Sequence, residues 1–300
     1  MPIKKILNSI EKSRRKKAVI RRILNSKQNN IGVSNIHRLD TTNIGDYYCA
    51  PHHYFKELQN TGLDIFDYKK QDDEVRSNFV EKTCNNSLII GGGGLLNRGG
   101  FKRQMKLFES LTETPKKIVL WGVGHNEKHP KTYGKVKNYN VDVNKFGMAG
   151  TRDKNMPGEY VPCVSCMHSL FDQTYTETQE IGVIFHKDTV KKDKIVSQFK
   201  DYPSTSNTTN LKEIIEFIGA SKCIITDSYH AMYWGILLEK KVVVIPNSSK
   251  FYDFHKQPVF STFNDAIKDS KKAESYSGVL DECREINQNF ANKTFDYLNL

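Results

Sequence analysis

The strongest constraint on the fold lies around residue 230, where a helical pattern stands between two apolar runs. Residues 223–225 form an apolar run typical of a buried parallel strand, and an Asp/Ser pair suited to capping a helix follows it. A second apolar run begins at residue 242, after enough residues for one helix. Because neighbouring parallel strands need such a crossover, the segment predicts a βαβ unit.

His230 falls in the first turn of that predicted helix, just beyond the carboxyl end of the preceding strand. Open α/β sheets bind ligands at this edge, and the free N–H groups of a helix N-terminus favour an anion. A histidine placed there suits general acid–base chemistry or contact with an oxyanion. The alternative is a core histidine, because Ala231, Met232 and Trp234 around it are apolar.

Strand and helix patterns alternate along the chain, which predicts an α/β protein with parallel sheets. A length of 300 residues favours about two domains. We predict a basic amphipathic segment at 1–30, a first α/β domain at 31–160, a junction at 161–180 and a second α/β domain at 181–300. The junction is rich in polar residues without a clear period, and the last predicted helix can cross back onto the first domain.

A helical pattern covers residues 47–59, after a polar turn at the end of the first predicted strand. This turn contains Asn43, Gly45 and Asp46. Asn and Asp are common helix N-caps, so the local sequence alone favours a capping role for both.

Four glycines at 91–94 follow a predicted strand at 87–90, which we expect to end there. They do not fit the dinucleotide-binding fingerprint, because apolar residues follow them, and the P-loop lysine is also missing. Glycine lets the backbone approach a ligand closely, which makes Gly92, Gly93 and Gly94 candidate binding residues. A tight structural turn is the alternative.

Two cations follow predicted strands in the same way. Arg152 comes after a short strand, where its planar guanidinium can hold a carboxylate or phosphate through two bonds. A surface ion pair with Asp153 is the alternative. Lys250 comes shortly after the strand at 242–245, and so reaches the same rim of the sheet as His230.

The sequence assigns no metal and no cofactor. Cys163 and Cys166 have the spacing of a redox or metal pair, but no second ligand pair lies at zinc-site distance, so buried thiols are favoured. His52 and His53 are adjacent, and their side chains diverge if both lie on the predicted helix at 47–59.

Residues 1–30 carry ten Lys and Arg against one acid, Glu11, and so supply most of the formal net charge of +11. Apolar residues recur there at helical spacing, opposite the cations. This pattern predicts that residues 1–28 contact anionic lipids of the inner membrane leaflet or, equally, that the apolar stripe packs on the protein body.

The rest of the chain is nearly neutral and has no nucleic-acid-binding motif, so we expect no nucleic-acid partner. The whole chain lacks an apolar run of membrane-spanning length, and residues 1–17 lack the pattern of a secretory signal. We therefore expect a cytoplasmic protein, peripheral on the inner face of the membrane if residues 1–28 bind lipid.

Taken together, five motifs resemble those of the polysaccharide pyruvyltransferase family. They are Asn43-Ile-Gly-Asp46, the glycines 91–94, Thr151-Arg-Asp153, the Val161-Pro-Cys-x-Ser165 junction, and Thr226-Asp-Ser-Tyr-His230 with the strand that follows it. The resemblance covers roughly residues 31–250. It implies a GT-B-like fold, in which two Rossmann-like domains face each other across a cleft.

The resemblance also implies a reaction, the transfer of pyruvate from phosphoenolpyruvate to two hydroxyls of a sugar as a cyclic ketal. The sugar would belong to a cell-surface polysaccharide such as a capsule or exopolysaccharide, or to its lipid-linked oligosaccharide precursor. Phosphoenolpyruvate is then the donor substrate, and no cofactor is needed.

Matched residue by residue, the family's motif arginine falls on Arg152 and its motif histidine on His230, with Lys250 a looser match. The resemblance implies that Arg152 and Lys250 bind the anionic donor, and that His230 is a general acid or base or contacts the phosphate. Asp46 or Asp227 would orient the acceptor or the imidazole. The predicted binding set is completed by Asn43, Gly45, Gly92, Gly93, Gly94 and Ser228.

The chain departs from the family pattern beside the histidine, where Tyr229 and Ala231 replace the more usual Arg and Gly. One cationic contact is therefore absent. A GT-B glycosyltransferase with a nucleotide-sugar donor is one alternative, because a fold does not fix a function. A noncatalytic, membrane-associated scaffold for glycan assembly is the other.

Overall fold

A computed structural model of the protein describes residues 2–300, with side chains from residue 10 onward. Six strands form the first sheet: β1 (Val33–His37), β2 (Gly62–Asp64), β3 (Ser87–Leu96), β4 (Ile118–His125), β5 (Met148–Thr151) and β6 (Glu159–Tyr160). Their order is β2-β1-β3-β4-β5-β6, and every neighbouring pair is parallel. Such a sheet needs a crossover between neighbouring strands.

The second sheet is also entirely parallel. Its strands are β7 (Gln179–Phe185), β8 (Ser204–Ser206), β9 (Ser221–Thr226), β10 (Lys241–Val244) and β11 (Val259–Phe260). They are ordered β11-β10-β9-β7-β8. Two parallel sheets with connecting helices confirm the predicted α/β class.

Helices connect and flank these strands. They are α1 (Pro2–Asn25), α2 (Ile44–Tyr47), α3 (Asp73–Asn85), α4 (Lys102–Leu111), α5 (Asp193–Val196), α6 (Leu211–Gly219), α7 (Tyr229–Leu237), α8 (Ala266–Asp269) and α9 (Val279–Leu298). The predicted βαβ unit is β9-α7-β10, with Cys223 opposite Lys241 in the register. Every residue of α7 is buried, because the helix is covered on all sides.

The prediction of a helix at 47–59 is wrong. Helix α2 ends at Tyr47, and two 3-10 turns, Pro51–His53 and Lys56–Leu58, replace the rest. Proline has no N–H to donate and its ring obstructs the preceding helical turn, so Pro51 begins a new turn. Asn35 on β1 fixes that turn, because its Oδ1 accepts a hydrogen bond from the backbone N–H of His52 at 3.1 Å.

The prediction that the strand ends at the glycines is wrong. Strand β3 continues through them to Leu96. Gly92 and Gly93 adopt φ values of 75° and 83°, and the pairing with β4 shifts register beyond Gly93. Only glycine takes such angles readily. The glycines therefore allow the strand to bulge and continue.

The second half of α1 packs on the first sheet. Val19 and Ile23 are 7% and 0% exposed and belong to the main core beside that sheet, whereas Leu24 is 46% exposed. In the second half of α1 the apolar stripe therefore packs on the protein body, which is one of the two alternatives that the sequence left open. The apolar residues 3, 6 and 7 of the predicted stripe lie outside the described side chains. No helix in residues 2–300 is both long and apolar enough to cross a membrane.

The last helix, α9, reaches back to the first sheet. Trp121 on β4 packs edge-on against Phe290 at 5.2 Å between ring centres, and its Nε1 donates to Oδ1 of Asn287 at 3.0 Å. Ala291 and Leu298 are buried in the same cluster. The last turns of the described chain therefore complete the core on one face of the first sheet.

Candidate functional site

A pocket of about 460 Å³ lies beyond the carboxyl ends of strands from both sheets. From the first sheet it takes the last residues of β3 and residues that follow β1, β2, β3 and β4, and from the second it takes residues that follow β7 and β10. Its basic lining residues are Arg38, Arg98, Lys128, Lys187 and Lys250, against the acidic Asp40, Asp46 and Asp188. Such a lining favours an anionic ligand.

A smaller pocket of about 20 Å³ adjoins it and shares six lining residues, namely Asn43, Asp46, Gly94, Asn126, His186 and Lys250. This inner pocket adds Arg152, Ser228 and His230. Seven predicted site residues therefore line one small space: Asn43, Asp46, Gly94, Arg152, Ser228, His230 and Lys250. Gly92 and Gly93 line the larger pocket.

Arg152 is the most unusual residue of the inner pocket. It is 1% exposed, and its Nε and Nη1 have no hydrogen-bond partner within the described part of the chain. Its guanidinium lies 4.0 Å from the centre of the Tyr229 ring, a cation–π contact. A surface ion pair with Asp153 is excluded, because Arg152 is buried and Asp153 accepts the backbone N–H of His125 instead.

A buried guanidinium without a partner is unfavourable, since desolvation of a charge costs several kcal/mol when nothing compensates for it. A buried polar group of this kind requires an explanation such as a functional role, or a water or ion that completes its hydrogen bonds. Arg152 thus marks a place for an anion.

Lys250 and Asp46 both line the inner and outer pockets. Burial, together with the charge of the nearby Lys128, lowers the pKa of Lys250 to about 7. Burial raises the pKa of Asp46, whose Oδ2 accepts a hydrogen bond from Nδ2 of Asn43 at 2.7 Å. Both groups therefore titrate closer to neutrality than exposed side chains do.

His230 is 6% exposed, and its Nε2 lies 3.6 Å from Sγ of Cys163. Burial lowers its pKa well below the ordinary value, and the charges of Arg152 and Lys250 act in the same direction. The imidazole is therefore neutral at neutral pH in the free protein, and can accept a proton before it donates one.

Gly45 lies against His230 rather than in either pocket. A Cβ at residue 45 would come within 2.1 Å of Nδ1 of His230. The prediction that Gly45 binds substrate is therefore not supported by its position. Its hydrogen side chain allows α2 to pack directly on the imidazole.

Asp227 also lines neither pocket. Its Oδ1 accepts the backbone N–H of His186 at 2.6 Å, and its Oδ2 accepts the hydroxyl of Thr189 at 2.6 Å. The expectation that Asp227 orients the substrate or the His230 imidazole is not supported by these contacts. Asp227 holds the turn after β7, which brings His186 to the inner pocket.

The glycines of β3 have two roles. Gly92, Gly93 and Gly94 all line the large pocket, as the sequence predicted. A Cβ on Gly92 would also come within 1.8 Å of the carbonyl oxygen of Cys49. Close packing of the backbone and access for a ligand therefore both require glycine here.

Two asparagines that line the inner pocket were not identified from the sequence. Asn126 follows β4 and Asn207 follows β8, and in each the side-chain Oδ1 is buried without a partner among the described residues. These oxygens can accept hydrogen bonds from a hydroxylated ligand. Their position directly after a strand was the available signal, as it was for Arg152.

Ser249, His125 and Asp253 form a buried chain that connects the two sheets. Nδ1 of His125 lies 2.6 Å from Oγ of Ser249, and its Nε2 lies 2.7 Å from Oδ2 of Asp253. The order of groups is that of a nucleophile triad. However, Ser249 is fully buried and its Oγ also accepts the backbone N–H of Glu127, so the chain instead fixes the turn that carries Lys250.

No protein-family model matches the chain, and the comparison with curated proteins gives no match. The pyruvyltransferase resemblance therefore depends on the quoted motifs and remains a prediction.

Proposed function

We propose that the protein transfers pyruvate from phosphoenolpyruvate to two hydroxyls of a sugar, as a cyclic ketal. The observation that carries the proposal is Arg152, a buried guanidinium in a pocket rich in cations, with N–H groups that have no partner among the described residues. A GT-B-like arrangement, with the pocket in the cleft between two Rossmann-like domains at about 31–160 and 181–300, belongs to the same proposal.

The charges support a small donor with two anionic groups. Phosphoenolpyruvate carries a carboxylate and a phosphate, and a guanidinium binds either of them through two hydrogen bonds. We assign one group to Arg152 and the other to Lys250 and Lys128, which lie toward the larger pocket. No cofactor is required for this chemistry.

Proton transfer falls to Asp46 and His230. A proton added to the methylene carbon of phosphoenolpyruvate creates an oxocarbenium-like centre at C2, which a sugar hydroxyl attacks. The C–O bond to phosphate then breaks, and the second hydroxyl attacks C2 to close the ketal. Two hydroxyl protons are released, of which one balances the proton on carbon and the other leaves with inorganic phosphate.

The pKa directions suit this division. Burial raises the pKa of Asp46, so its carboxyl holds a proton more readily than an exposed aspartate does. Burial lowers the pKa of His230 and keeps the imidazole neutral, which favours removal of a hydroxyl proton. Asp227 takes no direct part, because its carboxylate is occupied by the turn after β7.

The outer pocket supports a sugar acceptor. Phe66 and Phe101 line it with rings stacked at 5.0 Å, and the apolar faces of sugars and of aromatic rings pack well together. In this proposal the sugar belongs to a cell-surface polysaccharide or to its lipid-linked oligosaccharide. Contact of the first half of α1 with the inner leaflet would bring the enzyme to a lipid-linked acceptor, and Ile10 remains exposed there for it.

Calorimetric titration tests the donor. We expect saturable binding of phosphoenolpyruvate and no binding of a panel of nucleotide sugars. Binding of a nucleotide sugar alone would favour glycosyl transfer, for which the aromatic pair could stack on a base. Binding of neither donor, with membrane association lost on deletion of residues 1–10, would favour the noncatalytic scaffold.

The affinity for phosphoenolpyruvate should fall above about pH 7. Burial lowers the pKa of Lys250 to about 7, so the free protein loses this proton as the pH rises through neutrality. The bound anion stabilises the ammonium and raises its pKa, so binding takes up a proton and weakens by up to about tenfold per pH unit. Titrations at several pH values will measure the slope. The guanidinium introduced by Lys250→Arg stays charged over this range, so a slope unchanged in that variant would contradict the assignment.

A further inference from the structure

Three histidines meet outside the candidate site, at the carboxyl end of β1. His37 is the last residue of β1 and is fully buried, while His52 and His53 occupy the 3-10 turn after Pro51 and are half-buried. One ring nitrogen from each histidine lies within 4.8 Å of those of the other two. The prediction that His52 and His53 diverge is wrong, because a 3-10 turn replaces the helix and brings their ring centres to 4.0 Å.

We propose that His37, His52 and His53 bind one divalent zinc ion through their ring nitrogens. Imidazole is a preferred ligand of zinc, and three histidines with a water in the fourth position are an established coordination set. This inference is independent of the proposed function, since none of the three lines either pocket.

The shortest contact in the cluster fits a shared ion. Nε2 of His37 and Nε2 of His52 are 2.9 Å apart. Two nitrogens at about 2.0–2.1 Å from one tetrahedral zinc are roughly 3.3 Å apart, so the rings need only a small adjustment. Without an ion, one of the two nitrogens must donate its proton to the other.

A second contact fixes the tautomer of His53. Its Nε2 lies 2.8 Å from the carbonyl oxygen of Tyr47, which can only accept a hydrogen bond. Nε2 therefore carries the proton, and Nδ1 keeps a lone pair that can bind a metal. Metal-binding histidines usually donate their other N–H to a carbonyl or carboxylate in this way.

The environment also keeps the rings neutral. Burial lowers the pKa of all three histidines, to about 4 for His52. Metal binding requires an unprotonated nitrogen, so no proton has to be displaced near neutral pH.

The ion would stabilise one particular segment. It would tie the 3-10 turn at Pro51–His53 to β1, and the chain just before that turn carries Asn43, Asp46 and Cys49 to the pocket. We infer that the bound ion holds this irregular segment in place.

Metal content and calorimetry with zinc test the site. The full-length chain without a histidine tag is dialysed against a chelator and titrated with zinc alone, and its zinc content is measured after desalting. We expect about one equivalent of zinc per chain, a higher Tm with zinc, and loss of both effects in His52→Ala and in His53→Ala. If cobalt replaces zinc, its visible absorption should have the high intensity that is typical of tetrahedral Co²⁺.

The matched control is His129→Ala, which removes an exposed histidine outside the cluster and should keep the zinc. The half-buried His52 and His53 are the main test, because a change at the buried His37 can disturb folding. No stoichiometric zinc, or zinc retained in both variants, would overturn the proposal and leave a direct His37–His52 hydrogen bond.

Discussion

Arg152→Met should abolish binding of phosphoenolpyruvate and leave the protein at least as stable as before. The two expectations have one cause, which is that Nε and Nη1 of Arg152 are buried and unpartnered among the described residues. Each hydrogen bond to a charged group contributes about 1.5–3 kcal/mol, so loss of two should weaken the affinity at least about 100-fold. Methionine fills most of the same volume, which limits the loss of packing.

The stability effect separates a binding role from a structural one. Leaving a buried donor unsatisfied costs about 1–3 kcal/mol for each group, whereas the cation–π contact with Tyr229 contributes about 2 kcal/mol. Removal of the charge should therefore leave the free energy of unfolding of the free protein unchanged or higher. An arginine needed for folding would give the opposite result.

Calorimetry with phosphoenolpyruvate and chemical denaturation of the free protein measure the two effects. Arg98→Met is the matched control, because Arg98 lines the outer pocket but not the inner one. We expect its affinity to change only a few-fold. Retained binding in Arg152→Met, or a clear loss of stability, would exclude the proposed anion contact.

Gly92→Ala should destabilise the protein strongly. Gly92 has a φ of 75°, and an added Cβ would come within 1.8 Å of the backbone oxygen of Cys49. The left-handed conformation costs a residue with a side chain about 1–2 kcal/mol, and forced backbone shifts in a packed core add about 1–3 kcal/mol. We therefore expect a loss of about 2–5 kcal/mol in the free energy of unfolding.

Urea denaturation followed by circular dichroism measures this loss. Gly99→Ala is the control in the same part of the chain, because a Cβ at Gly99 would have no atom of the described residues within 4 Å. Its effect should stay within about 0.5 kcal/mol. Equal stability of the two variants would mean that the backbone of β3 can rearrange around residue 92.

The sequence predicted elements best where a local pattern decides the structure. Helix α6 is an example, because Leu211, Ile214, Ile215 and Ile218 form one buried stripe at helical spacing and Asn210 caps the first turn. The βαβ unit around His230 was equally readable. In both cases burial and capping act within a few residues.

Predictions failed where a distant residue decides the structure. The turn at Pro51–His53 depends on Asn35 from β1, and the course of β3 depends on pairing of the glycines with β4. Likewise, Asp227 contacts Thr189 and the turn after β7 rather than its neighbour His230. Periodicity carries no information about such partners.

The candidate site was predicted in part for the same reason. Parallel strands place their carboxyl ends together, so residues directly after a strand, such as Arg152, could be found from the sequence. The meeting of His37 with His52 and His53 could not, because it requires the exact turn between β1 and β2. Functional residues at strand ends can thus be predicted from the sequence, whereas those in irregular segments can be identified only from the three-dimensional structure.

The packing of α9 on Trp121 affects how the chain folds during its synthesis. All strands of the first sheet leave the ribosome long before residues 279–298, yet Phe290 and Leu298 complete the core on one face of that sheet. Until then the nascent first half exposes Trp121 and its apolar neighbours. Such a surface is a target for chaperones and a risk for aggregation. The core of the first sheet can thus be completed only after the second half of the chain has been synthesised.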